Sequence, residues 1–200
     1  MAGKTAVREA IAFEGVLQRV GDRMILRFPD EASAALPSRG QVAVRAALNG
    51  HPFETVVEPD GRRGHWLSID EDLLRAASGA SGAAPVAGDT ATLEVEPMKE
   101  WPEPEVPHDL AAALGGALDP DGVPESDGVP DLAEVWASLT PMARWEWVRW
   151  VDATKNPETR ARRVEATVSK LRGGKRRPCC FDLSSCTVPE VSRSGKLIEV

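Results

Sequence analysis

The sequence predicts an α+β protein in which a small six-stranded β-barrel precedes a small helical domain. Three observations support this fold class. Residues 10–96 hold six short apolar runs separated by turn signals, Pro97–Pro107 contains four prolines, and two helix start signals follow residue 139. Because proline-rich segments are stiff and extended, the second observation predicts a linker between two domains.

The barrel prediction depends on the strand patterns and on the turns between them. Apolar residues alternate along Gln41–Leu48, as in a strand with one buried face. Asn49-Gly50 follows, and both residue types tolerate the positive φ of a type I′ hairpin turn. Six short strands with such turns favour a closed barrel over an open sheet. The predicted strands are Ala10–Val20, Met24–Phe28, Gln41–Leu48, His51–Val57, His65–Ile69 and Thr90–Val95, and short helices are predicted over Asp30–Leu36 and Asp70–Ala77.

Three segments predict the helical domain. An Ala/Leu-rich helix is expected over Asp109–Leu118. Thr140 and Asn156 each precede a proline, the arrangement of an N-cap residue followed by proline at the first helical position. The helix that begins after Asn156 is predicted to end at Leu171, before two glycines. The predicted helical core consists of Trp136, Trp145, Trp147 and Trp150.

These features divide the chain into a barrel domain (8–97), a linker (98–107), a helical domain (108–177) and a C-terminal tail (178–200) that holds all three cysteines. An odd number of closely spaced cysteines is typical of reduced thiols rather than disulfides.

No apolar run approaches the ~20 residues of a membrane-spanning helix, and the first residues lack the apolar core of a signal peptide. The sequence therefore predicts a cytoplasmic protein without a transmembrane segment.

Charge is distributed unevenly along the chain. The net charge is −7 overall, but residues 1–140 hold 11 Lys and Arg against 24 Asp and Glu, a net of −13. Residues 141–200 hold 13 against 7, a net of +6. Because opposite charge steers association, the C-terminal part is the predicted surface for an anionic partner.

The predicted anionic-partner surface consists of Lys155, Arg160, Arg162, Arg163 and Lys170. Guanidinium groups match the geometry of phosphate and carboxylate, and basic residues beside aromatic ones are typical of nucleic-acid binding. The alternative is that these cations pair with acidic residues of the same chain, which the acidic N-terminal half favours. Glu158 and Arg162, four residues apart, fit a purely structural helix pair.

Two weaker candidate sites are a metal or redox site and a ligand pocket. Cys179, Cys180 and Cys186 match no standard zinc spacing, and buried reduced thiols explain them better. His51, Arg62 and His65 are candidates for a small-ligand pocket, in which His65 with Asp60 or Glu58 would serve as an acid/base pair. Two ordinary histidines near turns explain the same pattern. The sequence predicts no catalytic residues, no cofactor and no bound metal.

The run Trp150–Val164, preceded by Leu139-Thr140-Pro141, resembles the bacteriocin-protection family, also called YdeI/OmpD-associated, with its signature W-I-x-x-A-K-x-P-E-T-R-x-R-R-I. The resemblance implies tolerance of antimicrobial peptides or envelope stress in bacteria, with no established catalytic residues.

The N-terminal half is similar to an uncharacterised domain that often precedes this family. That second resemblance implies a double-split β-barrel, the class that includes AbrB-type DNA-binding barrels. It rests on Phe13-Glu14-Gly15, Phe28-Pro29, Arg39-Gly40-Gln41-Val42, Leu48-Asn49-Gly50-His51-Pro52-Phe53 and Gly88-Asp89.

The leading functional prediction is a non-enzymatic cytoplasmic binding protein of the stress-tolerance type, whose partner is an unidentified protein, peptide or anion. The first alternative is a nucleic-acid-binding regulator built on an AbrB-like barrel, which the acidic barrel disfavours because phosphate neutralisation supplies most non-specific affinity. The second alternative is a small-ligand binder or enzyme at the His51/His65 face. Whether the protein is a homodimer is left open by the sequence.

Overall fold

A computed structural model describes residues 10–78, 82–115, 131–178 and 182–199. The chain forms two compact units. The barrel unit contains the described residues up to Pro102 together with Leu183–Cys186 and the described residues from Glu190 onward, and the helical unit begins at Glu103. The boundary therefore lies within the predicted linker. No helix in the described part of the chain is long and apolar enough to cross a membrane.

Six antiparallel strands form a closed barrel in the order β1-β2-β5-β4-β3-β6, which confirms the predicted fold class. Short helices α1 and α2 follow β2 and β5. The elements of the barrel are β1 (Ile11–Val20), β2 (Arg23–Arg27), α1 (Asp30–Ala35), β3 (Val42–Leu48), β4 (His51–Pro59), β5 (His65–Ile69), α2 (Glu71–Ala76) and β6 (Thr90–Pro97).

The alternation seen in the sequence places one face of β3 in the barrel core. Val44 and Leu48 are fully buried, and both belong to a single apolar cluster that fills the barrel. Leu48 pairs with His51 across a two-residue turn in which Asn49 and Gly50 have φ of 49° and 83°. These positive values are those of a type I′ turn, so the predicted hairpin is confirmed.

Among its described residues, the helical unit contains four helices around a second apolar cluster that includes the fully buried Trp147. The Thr140 side chain accepts a hydrogen bond from the Ala143 amide at 3.2 Å, and Asn156 accepts one from Thr159 at 2.9 Å. Both predicted N-caps are therefore present. The helices are α3 (His108–Gly115), α4 (Leu132–Ala137), α5 (Pro141–Asp152) and α6 (Pro157–Arg172).

The C-terminal segment, predicted as a tail that packs down next to the helical domain, belongs largely to the barrel unit instead. It forms a small hairpin of β7 (Ser192–Arg193) and β8 (Lys196–Leu197). The Leu197 amide donates to the Asp60 carbonyl at 2.8 Å, and the side chains of Val191 and Leu197 are fully buried. Burial of these two apolar side chains and the satisfied backbone groups hold the hairpin on the turn between β4 and β5.

Candidate functional site

Helix α6 carries the basic side chains of the predicted anionic-partner surface and packs against α3, α4 and α5. Val164, Thr167 and Leu171 are its buried residues. They recur every three or four positions, which places them on one face of the helix. The charged side chains consequently occupy the faces beside and opposite this apolar stripe.

Arg160 is engaged inside the helical unit. Its Nε donates to Asp109 at 2.6 Å, and its Nη1 donates to Asp152 at 2.7 Å. The hydrogen bond with Asp109, and then that with Asp152, raises the pKa of the Arg160 guanidinium, while the bond from Arg160 lowers the pKa of Asp109. Because Asp109 lies on α3 and Asp152 ends α5, Arg160 connects three helices. Its positive charge is compensated by these two carboxylates and is not available to a partner.

Arg163 and Lys170 lie beside the half-buried indole of Trp150. The Arg163 guanidinium carbon is 5.6 Å from the ring centroid and Lys170 Nζ is 4.9 Å from it, which are cation–π distances. The Arg163 Nη1 also donates to the Trp150 carbonyl at 2.6 Å, and this bond caps the last turn of α5. Partial burial lowers the pKa of Arg163. We name Trp150, Arg163 and Lys170 the Trp150 cluster.

The cations of the Trp150 cluster have no carboxylate partner within the described residues, and the same holds for Lys155 and Arg162. Arg162 makes only a long contact of 3.4 Å to the Thr159 hydroxyl instead of pairing with Glu158. The five predicted cations thus divide into one that is neutralised, Arg160, and four that are not.

Cations flanking the predicted surface are mostly engaged. Arg144 pairs with Glu103 at 2.5 Å, and Arg177 pairs with the buried Glu146. Arg176 donates to the Ser138 carbonyl, while its own carbonyl accepts from the Trp147 indole at 3.2 Å. The segment after α6 is therefore bound to the helical core.

Trp150 packs against the helical core as predicted, but the sequence did not predict its contacts with Arg163 and Lys170. Arg163 and Lys170 are seven residues apart, about two helical turns, so they share a face of α6. That spacing was a readable signal. The position of Trp150 between them depends on how α5 packs on α6, which the spacing alone does not reveal.

The residues of the predicted ligand pocket, His51, Arg62 and His65, do not lie together in the structure. His51 begins β4 and is exposed, whereas His65 pairs with Pro59 at the other end of that strand. Eight residues of extended chain separate these ends by about 26 Å. Arg62 lies near His65 in sequence, but its side chain pairs with Glu199 of the C-terminal segment at 3.1 Å.

His65 is buried and its two ring nitrogens are both engaged. Nε2 lies 3.1 Å from the Gly40 carbonyl, and Nδ1 lies 2.6 Å from the Ser33 hydroxyl. Since a carbonyl only accepts, Nε2 carries the proton and Ser33 donates to Nδ1. Burial lowers the pKa of His65, outweighing the opposing effects of Gly40 and Asp60. These two hydrogen bonds connect His65 on β5 to Ser33 on α1 and to Gly40 in the loop before β3.

The lowered pKa of His65 predicts that the barrel loses stability at mildly acidic pH. Below pH 6.5, the pKa of His65 in the unfolded chain, the unfolded chain binds a proton that the folded chain does not. The free energy of unfolding therefore decreases as the pH is lowered. Urea unfolding at pH 7.5 and 5.5 measures the loss, which His65→Gln is expected to reduce. Equal losses in both proteins would contradict the assignment.

Among the cysteines, Cys179 and Cys180 lie outside the described residues. Cys186 is buried, and its amide donates to the Gly195 carbonyl at 2.9 Å within the C-terminal segment. Within the described ranges no group of three or more His, Cys, Asp or Glu residues is placed to hold a metal ion.

Comparison with known families matches two parts of the chain. Residues 127–174 match the family described as "Bacteriocin-protection, YdeI or OmpD-Associated", which confirms the resemblance drawn from the C-terminal signature. Residues 13–87 match "Domain of unknown function (DUF1905)". The first match covers α4, α5 and α6, and therefore includes the whole Trp150 cluster. No curated protein matches the chain.

Proposed function

We propose that this chain, whose residues 127–174 match the bacteriocin-protection family, is a non-enzymatic cytoplasmic binding protein that takes an anionic partner on helix α6. One observation carries the proposal. Four of the five cations predicted as the anionic-partner surface have no carboxylate partner among the described residues, although the chain as a whole is acidic. Those cations are Lys155, Arg162, Arg163 and Lys170.

The contrast with Arg160 supports the proposal. Acidic side chains are plentiful, and two of them converge on Arg160. An exposed cation without a fixed partner costs little in water, so lack of pairing alone does not define a binding surface. Here, however, Arg163 is partly desolvated, and desolvation of an unpaired charge is unfavourable without compensation. An anionic partner would supply that compensation.

The non-enzymatic part of the proposal is supported by the best-placed acid/base candidates. The Ser33–His65 pair is almost fully buried, with 1% exposure for each residue, and both imidazole nitrogens have structural partners. His51 lies at the far end of β4 from His65. Both ring nitrogens of His65 are thus occupied, and the two histidines do not form an acid/base pair with each other.

A second candidate function is nucleic-acid binding. The observation that favours it is the half-buried Trp150 beside two cations, since aromatic and basic groups together bind single-stranded bases and phosphates. The barrel opposes it: the exposed side chains of β1 and β6 include Glu14, Glu94 and Glu96, which repel a long phosphate backbone.

Fluorescence anisotropy tests the proposal. A labelled deca-glutamate peptide and a labelled DNA duplex are titrated at low and at physiological salt with the wild-type chain and with a Lys155→Ala/Arg162→Ala variant. We expect salt-sensitive binding of the deca-glutamate peptide, with or without binding of the duplex, weakened about tenfold in the variant because two charged contacts are lost.

The matched control is Arg45→Ala, which removes one exposed positive charge from the barrel unit, where Arg45 pairs with Glu54 at 3.3 Å. Its affinity should stay within about twofold of wild type, because its contribution is a screened surface charge. Binding of DNA alone would replace the proposal with the nucleic-acid alternative. No binding of either polyanion at low salt would remove α6 as a partner surface.

A further inference from the structure

The polar groups of the Trp150 cluster are all hydrogen-bond donors. Arg163 offers five N–H groups, Lys170 offers three, and the indole offers one, while none of these side chains accepts. In the described part of the chain only one of these donors has a partner, the Arg163 Nη1 that bonds the Trp150 carbonyl. By contrast, the indole of Trp147 donates to Arg176 and that of Trp66 donates to Pro59.

Both positive charges of the cluster lie against one indole. The distances to its ring, 5.6 Å for Arg163 and 4.9 Å for Lys170, limit the separation of the two charges to about 10.5 Å. Like charges within this range repel each other, and more strongly where water is partly excluded. An anion bound beside the indole, within reach of both cations, would accept from the free donors and reduce the repulsion.

We infer that the Trp150 cluster is a binding site for a compact, doubly charged phosphate group. This inference deepens the proposed function, on which it rests, by naming the ligand chemistry of one part of α6. Two uncompensated cations match the charge of a phosphate monoester, about −1.5 to −2 near neutral pH, better than that of a single carboxylate. The guanidinium of Arg163 has the planar fork that binds phosphate oxygens in pairs.

A small phosphate compound fits this chain better than a nucleic acid. Residues 1–140 carry a net charge of −13, which opposes the approach of a long polyanion but affects a compact ligand less. The site holds only three side chains, enough for one phosphate group. Trp150 itself is only half-buried, which leaves the rest of the ligand free to extend into solvent.

Nuclear magnetic resonance of the full chain tests the inference through the indole N–H signals. The chain has six tryptophans, and Trp150→Phe identifies the signal of Trp150. Inorganic phosphate is added at constant ionic strength, with acetate as the monoanion control. We expect phosphate, and not acetate, to shift the Trp150 signal in a saturable manner, more strongly at pH 7.5 than at pH 5.5 because phosphate then carries two charges.

Lys170→Gln is the informative variant, because Lys170 makes no hydrogen bond within the described residues and its loss should leave the fold intact. It is expected to weaken phosphate binding about tenfold, whereas the matched variant Arg162→Gln should change it less than twofold. Arg163→Lys keeps the charge but loses the fork, so an intermediate loss is expected.

Three outcomes would overturn the inference. They are no saturable shift of Trp150 with phosphate, an equal response to acetate, or equal phosphate affinity in Lys170→Gln and wild type. Tight binding of a single-stranded oligonucleotide that depends on Lys170, with weak binding of free phosphate, would overturn the small-ligand class in favour of nucleic acid. If polyanions still bind through Lys155 and Arg162 while phosphate fails, the proposed function stands and only this inference falls.

Discussion

Gly61→Ala is expected to detach the C-terminal hairpin from the barrel unit and to cost about 3 kcal/mol or more of stability. A Cβ atom at position 61 would lie 1.9 Å from the Gly195 carbonyl oxygen, a distance that no packing adjustment of a side chain can relieve. Gly61 also has φ of 74°, which alanine adopts only at a cost. The hairpin must therefore move away.

Detachment has a direct chemical readout. Cys186 is only 2% exposed, and its amide bonds to Gly195, so release of the hairpin should expose its thiol. Labelling with a thiol reagent measures this in a Cys179→Ser/Cys180→Ser background, which leaves Cys186 as the only cysteine. We expect labelling of Cys186 to be at least tenfold faster in Gly61→Ala.

Gly50→Ala is the matched control for Gly61→Ala. Gly50 has a similar φ of 83°, but nothing lies within 4 Å of an added Cβ atom. It should therefore lose only about 1 to 2 kcal/mol from the unfavourable backbone conformation and leave Cys186 unreactive. Equal effects of the two substitutions would show that the Gly195 carbonyl does not lie against position 61.

Trp147→Ala is expected to destabilise the helical unit by about 3 to 5 kcal/mol. The Trp147 side chain is completely buried, its indole N–H donates to Arg176 at 3.2 Å, and its ring meets that of Trp150 edge-on at 5.8 Å. The substitution leaves a large cavity and a carbonyl without its donor. Urea unfolding measures the loss, and hydrogen exchange should show the largest loss of protection in α5 and α6.

Trp136→Ala is the control for the size of the Trp147 effect. Trp136 is only partly buried at the edge of the same apolar cluster, so its removal exposes less new surface and leaves a smaller cavity. We expect it to cost less than half as much as Trp147→Ala. A larger loss from Trp136→Ala would place the centre of the helical core elsewhere.

Local signals explain which parts of the fold the sequence could predict. The Asn49-Gly50 turn and the caps at Thr140 and Asn156 involve residues within a few positions of one another, and each is present as predicted. Helix α4 was missed because its six residues give too few turns for a clear apolar period. The hairpin of β7 and β8 was missed because each strand has two residues and its main partner, Asp60, is 137 positions away from Leu197.

The candidate site was predicted in part for the same reason. A basic α6 follows from composition, but the sequence could not separate Arg160 from Arg163, since both are arginines on one helix. The difference comes from Asp109 on α3 and Asp152 at the end of α5, which form ion pairs with Arg160 and not with Arg163. Likewise, the burial of His65 depends on Ser33 and Gly40, which lie 32 and 25 positions earlier in the chain.

We propose that Arg160 stabilises the helical unit, whereas its neighbours on α6 bind an anionic partner. Parallel measurement of heat stability and polyanion affinity in Arg160→Ala and Arg162→Ala tests this division of roles. We predict that Arg160→Ala lowers the Tm by about 2 to 4 °C, because a partly exposed pair of ion contacts contributes on the order of 1 kcal/mol. Arg162→Ala should leave the Tm unchanged and weaken binding severalfold more than Arg160→Ala does. If Arg160→Ala instead keeps its Tm and loses as much affinity as Arg162→Ala, the division of α6 into structural and binding cations is wrong.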